Sequence, residues 1–289
     1  MKGPGGPIVP FSITARLTAP TMHLSLPQTL YCFLYGLSAV AGASLDVSLS
    51  SGTFRGVSTA NGLFLYPRLT LVPRSQKTVY SSTPQNVTAK SKVPVLLWIH
   101  GGLFIFGAAS DPQYDPTLIL QRSVALGKPI IFVSINYRLN TFGFLSSASV
   151  APQDLNAGLL DQRQALVFVK ENIAAFGGDP SKVTIWGQSA GAGSVESHFI
   201  FPASQPLFRA GIADSSTGPF KNSPDASTYD KPGKPFARLL AATGCSAGAG
   251  AVSCLQNVPF EMLLNISNAF IDGTLNLQLW EPSVGPAGS

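Results

Sequence analysis

Four stretches of this chain are apolar on both faces. Val93–Ile99 (VPVLLWI), 129–137 (PIIFVSINY), 183–186 and the shorter 209–213 carry β-branched and aromatic residues without the alternation of a half-exposed strand. Continuous runs of this kind suit parallel strands covered by helices. Between the second and third runs, Leu159, Leu160, Leu166, Val169, Ile173 and Phe176 recur at helical spacing. The predicted helix opens near Asp154 and stops at Gly177-Gly178-Asp179-Pro180, a strong breaker. Residues 192–200, 239–244 and 259–270 read as further helical pieces. Strand, helix and strand alternate, which places the chain in the α/β class with a mostly parallel sheet.

The start of the chain reads differently. Residues 1–21 are rich in Pro and Gly, and from Met22 an apolar core over 30–41 runs into Ala41-Gly42-Ala43. An apolar core of about a dozen residues before small residues is a signal-peptide pattern, too short to span a membrane. Residues 1–43 are therefore expected to be a leader and signal peptide with translation starting at Met22, and the product to be secreted. Asn86-Val87-Thr88 and Asn265-Ile266-Ser267 are sequons that make Asn86 and Asn265 candidate glycosylation sites. No other run approaches transmembrane length.

Of 289 residues, 45% are hydrophobic and 11% charged, which excludes a disordered chain or a coiled coil. The net charge of +5 divides unevenly. Residues 1–100 hold 8 Lys/Arg against Asp46 alone, whereas 101–289 hold 11 against 13 acids. The basic residues are scattered singly, so nucleic acid is not an expected partner. No cofactor or metal motif is present. With Cys32 in the signal peptide, Cys245 and Cys254 remain, nine positions apart. An oxidising compartment favours a disulfide over two reduced thiols.

Gly187-Gln188-Ser189-Ala190-Gly191 fits G-x-S-x-G, after one apolar run and before a helix-capable stretch. A strand-to-helix elbow with small residues on either side exposes the serine hydroxyl, making Ser189 the candidate nucleophile. The second motif is His100-Gly101-Gly102-Leu103-Phe104, a glycine turn following a strand. Acyl transfer requires backbone N–H donors where the tetrahedral intermediate gains charge. Such a turn can supply them, as can the N–H of Ala190.

These residues resemble the type-B carboxylesterase/lipase family, the α/β-hydrolases that include the cholinesterases. The matching segments, in order, are Ser51-Gly52-Thr53-Phe54-Arg55-Gly56, 93–107, Ile135-Asn136-Tyr137-Arg138, Gly143-Phe144-Leu145, 154–163, 176–180 and 183–194. The resemblance implies an α/β-hydrolase fold truncated before its C-terminal strands, with 44–289 the N-terminal part of the domain. It implies a small-molecule or lipid ester substrate, no cofactor, and oxyanion donors at the N–H groups of Gly102, Leu103 and Ala190. It also pairs Cys245 with Cys254.

The chain departs from the family pattern in several places. Leu103 stands where the family usually has a third glycine, and Gln188 where it often has Glu. Residues 63–78 match nothing in the family, whose Pro-rich early segment and first disulfide loop are missing there. A serine hydrolase of this fold needs its acid and His after the nucleophile. The only later histidine is His198, about 13 Å along the same helix and expected to be a packed residue. Asp214, Asp225, Asp230, Glu261, Asp272 and Glu281 have no base to orient, and His100 is expected to shape the glycine turn. The family's acid and His fall beyond Ser289, so the chain as it stands is expected to be inactive. Arg138, Asp161 and Arg163 are expected to form a structural network, and Asp179 to cap a turn. Non-catalytic binding members of the family lose the nucleophile, which is kept here.

Overall fold

The structure is a computed structural model that describes residues 46–49, 52–58, 63–70, 78–216, 223–272 and 279–285. The chain divides after Leu37, and every described residue belongs to the unit Ser38–Ser289. The expected leader and signal peptide lie outside the described residues.

Strands β1 (Asp46–Leu49) and β2 (Gly52–Arg55) form an antiparallel pair. A second sheet has seven strands: β3 (Val57–Ser58), β4 (Leu63–Thr70), β5 (Thr78–Pro84), β6 (Val93–Ile99), β7 (Ile131–Ile135), β8 (Gly178–Gln188) and β9 (Ala210–Asp214). Their spatial order is β3-β4-β5-β7-β6-β8-β9. The four apolar runs are the four contiguous parallel strands β7, β6, β8 and β9, and β3 to β5 join antiparallel. Residues 63–70, within the segment expected to depart from the family pattern, pair with β5. Their register slips between Tyr66 and Leu69, where Pro67 has no N–H for the ladder.

The helices are α1 (Thr117–Ala125), α2 (Asn140–Phe144), α3 (Ala157–Asn172), α4 (Ala190–Ile200), α5 (Pro235–Thr243), α6 (Ala251–Gln256) and α7 (Phe260–Asp272). Several boundaries differ from expectation: α5 opens at Pro235, four residues before the stretch read as helical, and α4 opens at Ala190, two before. Helix α3 starts after Asn156, which sits in the left-handed region, while Asp154 ends a separate 3-10 turn. Strand β8 starts at Gly178, inside the segment read as a breaker. Asp179 caps as expected: its Oδ1 accepts from Ser181 N and Oγ, and Lys182 Nζ lies 2.9 Å from Oδ2.

Most of the core lies on one sheet face, where Val95, Leu97, Ile131, Val133, Ile135 and Ile185 meet Leu166 and Val169 of α3 and Val195 of α4. Each such side chain contributes about 1.5–3 kcal/mol on burial. On the other face Leu120 of α1 packs with Trp98 and Phe132. A buried polar seam ties α2 to the chain beyond α7. Trp280 Nε1 donates to Thr141 Oγ1 (2.9 Å), which lies 2.7 Å from Ser267 Oγ. Ser146 and Ser283 share a hydrogen bond at 2.7 Å, and Asn156 exchanges two with the Ser283 backbone. Cys245 and Cys254 form a disulfide that links the end of α5 to α6.

Candidate active site

The site is built where β8 turns into α4. Ser189 occupies that turn with φ 55° and ψ −120°, a region that costs an L residue about 1–3 kcal/mol. The close packing around it explains the flanking glycines. A Cβ on Gly187 would lie 2.3 Å from Gly191 O, and one on Gly191 2.1 Å from Ile99 O. The turn is held by Ser189 N donating to Asp214 O and Gly193 N to Ser189 O, both 3.0 Å. Ser189 itself is half-buried.

The glycine turn after β6 lies against this serine. A Cβ on Gly101 would sit 2.6 Å from Gln188 O and 3.3 Å from Ser189 Cβ, so no side chain fits between the two turns. Gly102, Leu103 and Phe104 all have positive φ (107°, 56° and 62°). Gly102 O accepts from the N–H groups of Ile105 and Phe106, and Asn140 N donates to Phe104 O. The N–H groups of Gly102 and Leu103 donate to nothing among the described residues. Ala190 opens α4, so its N–H has no partner within the helix.

His100 shapes the glycine turn from below. Its Nδ1 donates to Gly101 O (2.8 Å), which leaves Nε2 unprotonated, buried and without a partner among the described residues. Tyr137 stacks on the ring at 4.5 Å and donates its hydroxyl to His100 O (2.8 Å). Burial holds the imidazole below its ordinary pKa, so it stays neutral. In the sequence Tyr137 ends an apolar run and sits in a family-matching segment, with nothing to mark it as the partner of His100.

His198 is a packed helix residue, as expected. It is 4% exposed, and its Nε2 lies 3.0 Å from Gln162 Oε1, whose amide in turn donates to Ser194 Oγ. Burial, followed by the nearby Arg163 charge, lowers its pKa to about 4. No sequence signal marks Gln162 as its partner. Arg138 grips Asp161 through Nε (2.7 Å) and Nη2 (3.0 Å), whereas Arg163 donates to Phe201 O.

The later carboxylates are distributed rather than gathered. Asp214 accepts from Trp186 Nε1 (2.6 Å), Asp225 from Ser227 N and Asp230 from Ala148 N. Glu261 and Asp272 are exposed on α7, and burial raises the pKa of half-buried Glu281. None of them bonds to a histidine among the described residues.

A serine raised on a strand-to-helix turn at the end of a parallel strand, beside a glycine turn, defines the nucleophile-elbow architecture of the α/β-hydrolases. The carboxylesterase family matches residues 78–287, and the chain belongs to that family. Secreted lipase 1 of Botryotinia fuckeliana is 37% identical over 269 residues, covering 89% of this chain and 43% of that protein. Lipase 5 of Diutina rugosa is 40% identical over 234 residues, covering 78% and 39%. Among solved structures, a thermophilic pNB esterase superposes with a TM-score of 0.70 at 26% identity, covering 84% of this chain and 58% of that one. The Geobacillus stearothermophilus carboxylesterase EST55 gives 0.68 at 30% identity, covering 82% and 55%. The chain thus spans about two fifths of the length of these curated relatives. No helix among the described residues is long and apolar enough to cross a membrane.

Proposed function

We propose that this chain carries the nucleophile and oxyanion hole of a secreted carboxylic ester hydrolase. Ser189 attacks the ester carbonyl, and the N–H groups of Gly102, Leu103 and Ala190 receive the oxyanion. The observation that carries this reading is the strained conformation of Ser189, held directly against a turn with two unengaged N–H groups. Strain of this kind persists only where the surrounding packing enforces it. Secretion follows from the signal-peptide pattern and from relatives named as secreted lipases. Asn86 and Asn265, both exposed, are the proposed glycan acceptors.

The general base comes from outside the described residues. His100 and His198 are both buried, neutral and committed to structural hydrogen bonds. With these residues alone, hydrolysis is limited to what oxyanion donors and binding supply, about 10³–10⁴-fold over water. The test is hydrolysis of p-nitrophenyl butyrate by this chain, and by the chain extended with the C-terminal portion of Lipase 5. Activity should rise strongly on extension and disappear in Ser189→Ala. Hydrolysis that survives Ser189→Ala overturns the reading.

A further inference from the structure

The loop that follows the glycine turn forms one side of an open cleft of about 310 Å³, at the small end of ligand clefts. Its floor is the sheet face opposite the main core. Tyr80 pairs with Ser134 and Ser82 with Phe132 across β5 and β7, so these four side chains share that face. Ser82 and Ser134 are 7% and 5% exposed, line the cavity, and have hydroxyls without a partner among the described residues. Neither oxygen is among the fully buried, unpartnered polar atoms, so both hydroxyls open into the cavity, where a ligand or water can reach them. The loop supplies Asp111, Tyr114 and Asp115. One oxygen of each carboxylate caps a local turn: Asp111 Oδ1 takes Gln113 N, and Asp115 Oδ1 takes Thr117 N and Oγ1. The second oxygen of each has no protein donor among the described residues. Among the described residues no basic side chain lines the cavity, which disfavours anions.

We propose that this cavity binds a single neutral sugar or similar polyol ring. Two hydroxyls able to give and accept, two carboxylate oxygens that only accept, and two tyrosines, Tyr80 and Tyr114, in the lining match a ligand with many O–H groups and apolar C–H faces. An ammonium group would satisfy the carboxylates but offers no acceptor to the serine hydroxyls. The site is independent of the chemistry assigned to Ser189.

The test uses the full chain with methyl β-xyloside and methyl β-glucoside, read by saturation-transfer NMR and calorimetry, with choline as the cationic comparison. The glycosides should bind, and choline should not compete. Ser82→Phe, which fills the floor beside Phe132, should abolish binding. Asp111→Asn keeps the turn-capping oxygen and should weaken binding about tenfold, the loss of one charge-assisted hydrogen bond. Thermal melts confirm folding, and if Ser82→Phe does not fold, Asp111→Asn decides alone. Failure of both glycosides to bind, binding unchanged in the folded variants, or preference for choline overturns the proposal.

Discussion

Gly191→Ala tests the packing that joins the two turns of the site. The added Cβ would lie 2.1 Å from Ile99 O and 3.0 Å from His100 O, both backbone atoms of the segment leading into the glycine turn. Reaching even 3.0 Å from Ile99 O requires a separation of about 0.9 Å, which no rotamer change can supply. Overpacking of this kind costs about 1–3 kcal/mol, and a backbone neighbour places it at the upper end. Exchanging Gly for Ala inside a helix returns about 1 kcal/mol. The net loss is about 2 kcal/mol, or a Tm lower by about 4–8 °C for a unit of this size. The matched control is Gly250→Ala: Gly250 precedes α6 at φ −87° with open space around its Cβ. That variant should gain about 0.4–1 kcal/mol. Thermal and urea unfolding of both variants gives the comparison. A Gly191→Ala protein as stable as the parent would refute the claim that backbone contact holds α4 against β6.

Ser189→Gly should be at least as stable as the parent by urea unfolding, because relief of about 1–3 kcal/mol of strain offsets glycine's extra chain entropy. A clearly destabilised variant would argue against strain at this turn. His198 makes stability pH-dependent: its folded pKa of about 4 lies below the unfolded value near 6.5, so the folded state favours the neutral ring. Its contribution is complete above pH 6.5 and is lost as pH falls toward 4, so urea midpoints should drop over that window, less steeply in His198→Gln. Thr141→Val should cost about 1–3 kcal/mol in thermal unfolding, because Trp280 Nε1 loses its buried acceptor.

The parallel strands were legible because a strand covered on both faces must be apolar throughout, as Leu97, Val133 and Ile185 are. The elbow was legible because close approach at Gly187 and Gly191 demands residues without side chains. The start of β8 was not, since Gly178 and Pro180 are local breakers that tertiary pairing with β6 overrides. The polar seam was equally hidden: Thr141 meets Ser267 and Trp280 across 126 and 139 residues, and no local pattern encodes such pairs. The positive φ of Leu103 and Phe104 likewise comes from the turn as a whole, with Asn140 N holding Phe104 O. For the site, sequence marked Ser189 and the glycine turn that the structure brings side by side, but Tyr137 and Gln162 stood only inside longer matching segments, and their contacts with the two histidines depend on packing.

The most direct measurement is the rate at which a fluorophosphonate modifies Ser189, followed by mass spectrometry of the peptide that carries it. It is made on this chain and on the chain extended with the C-terminal portion of a related lipase. Slow labelling of the chain alone and fast labelling of the extended form, at Ser189 in both, is the predicted result. Equal rates in the two forms, or modification at another serine, would contradict a Ser189 nucleophile that awaits its base.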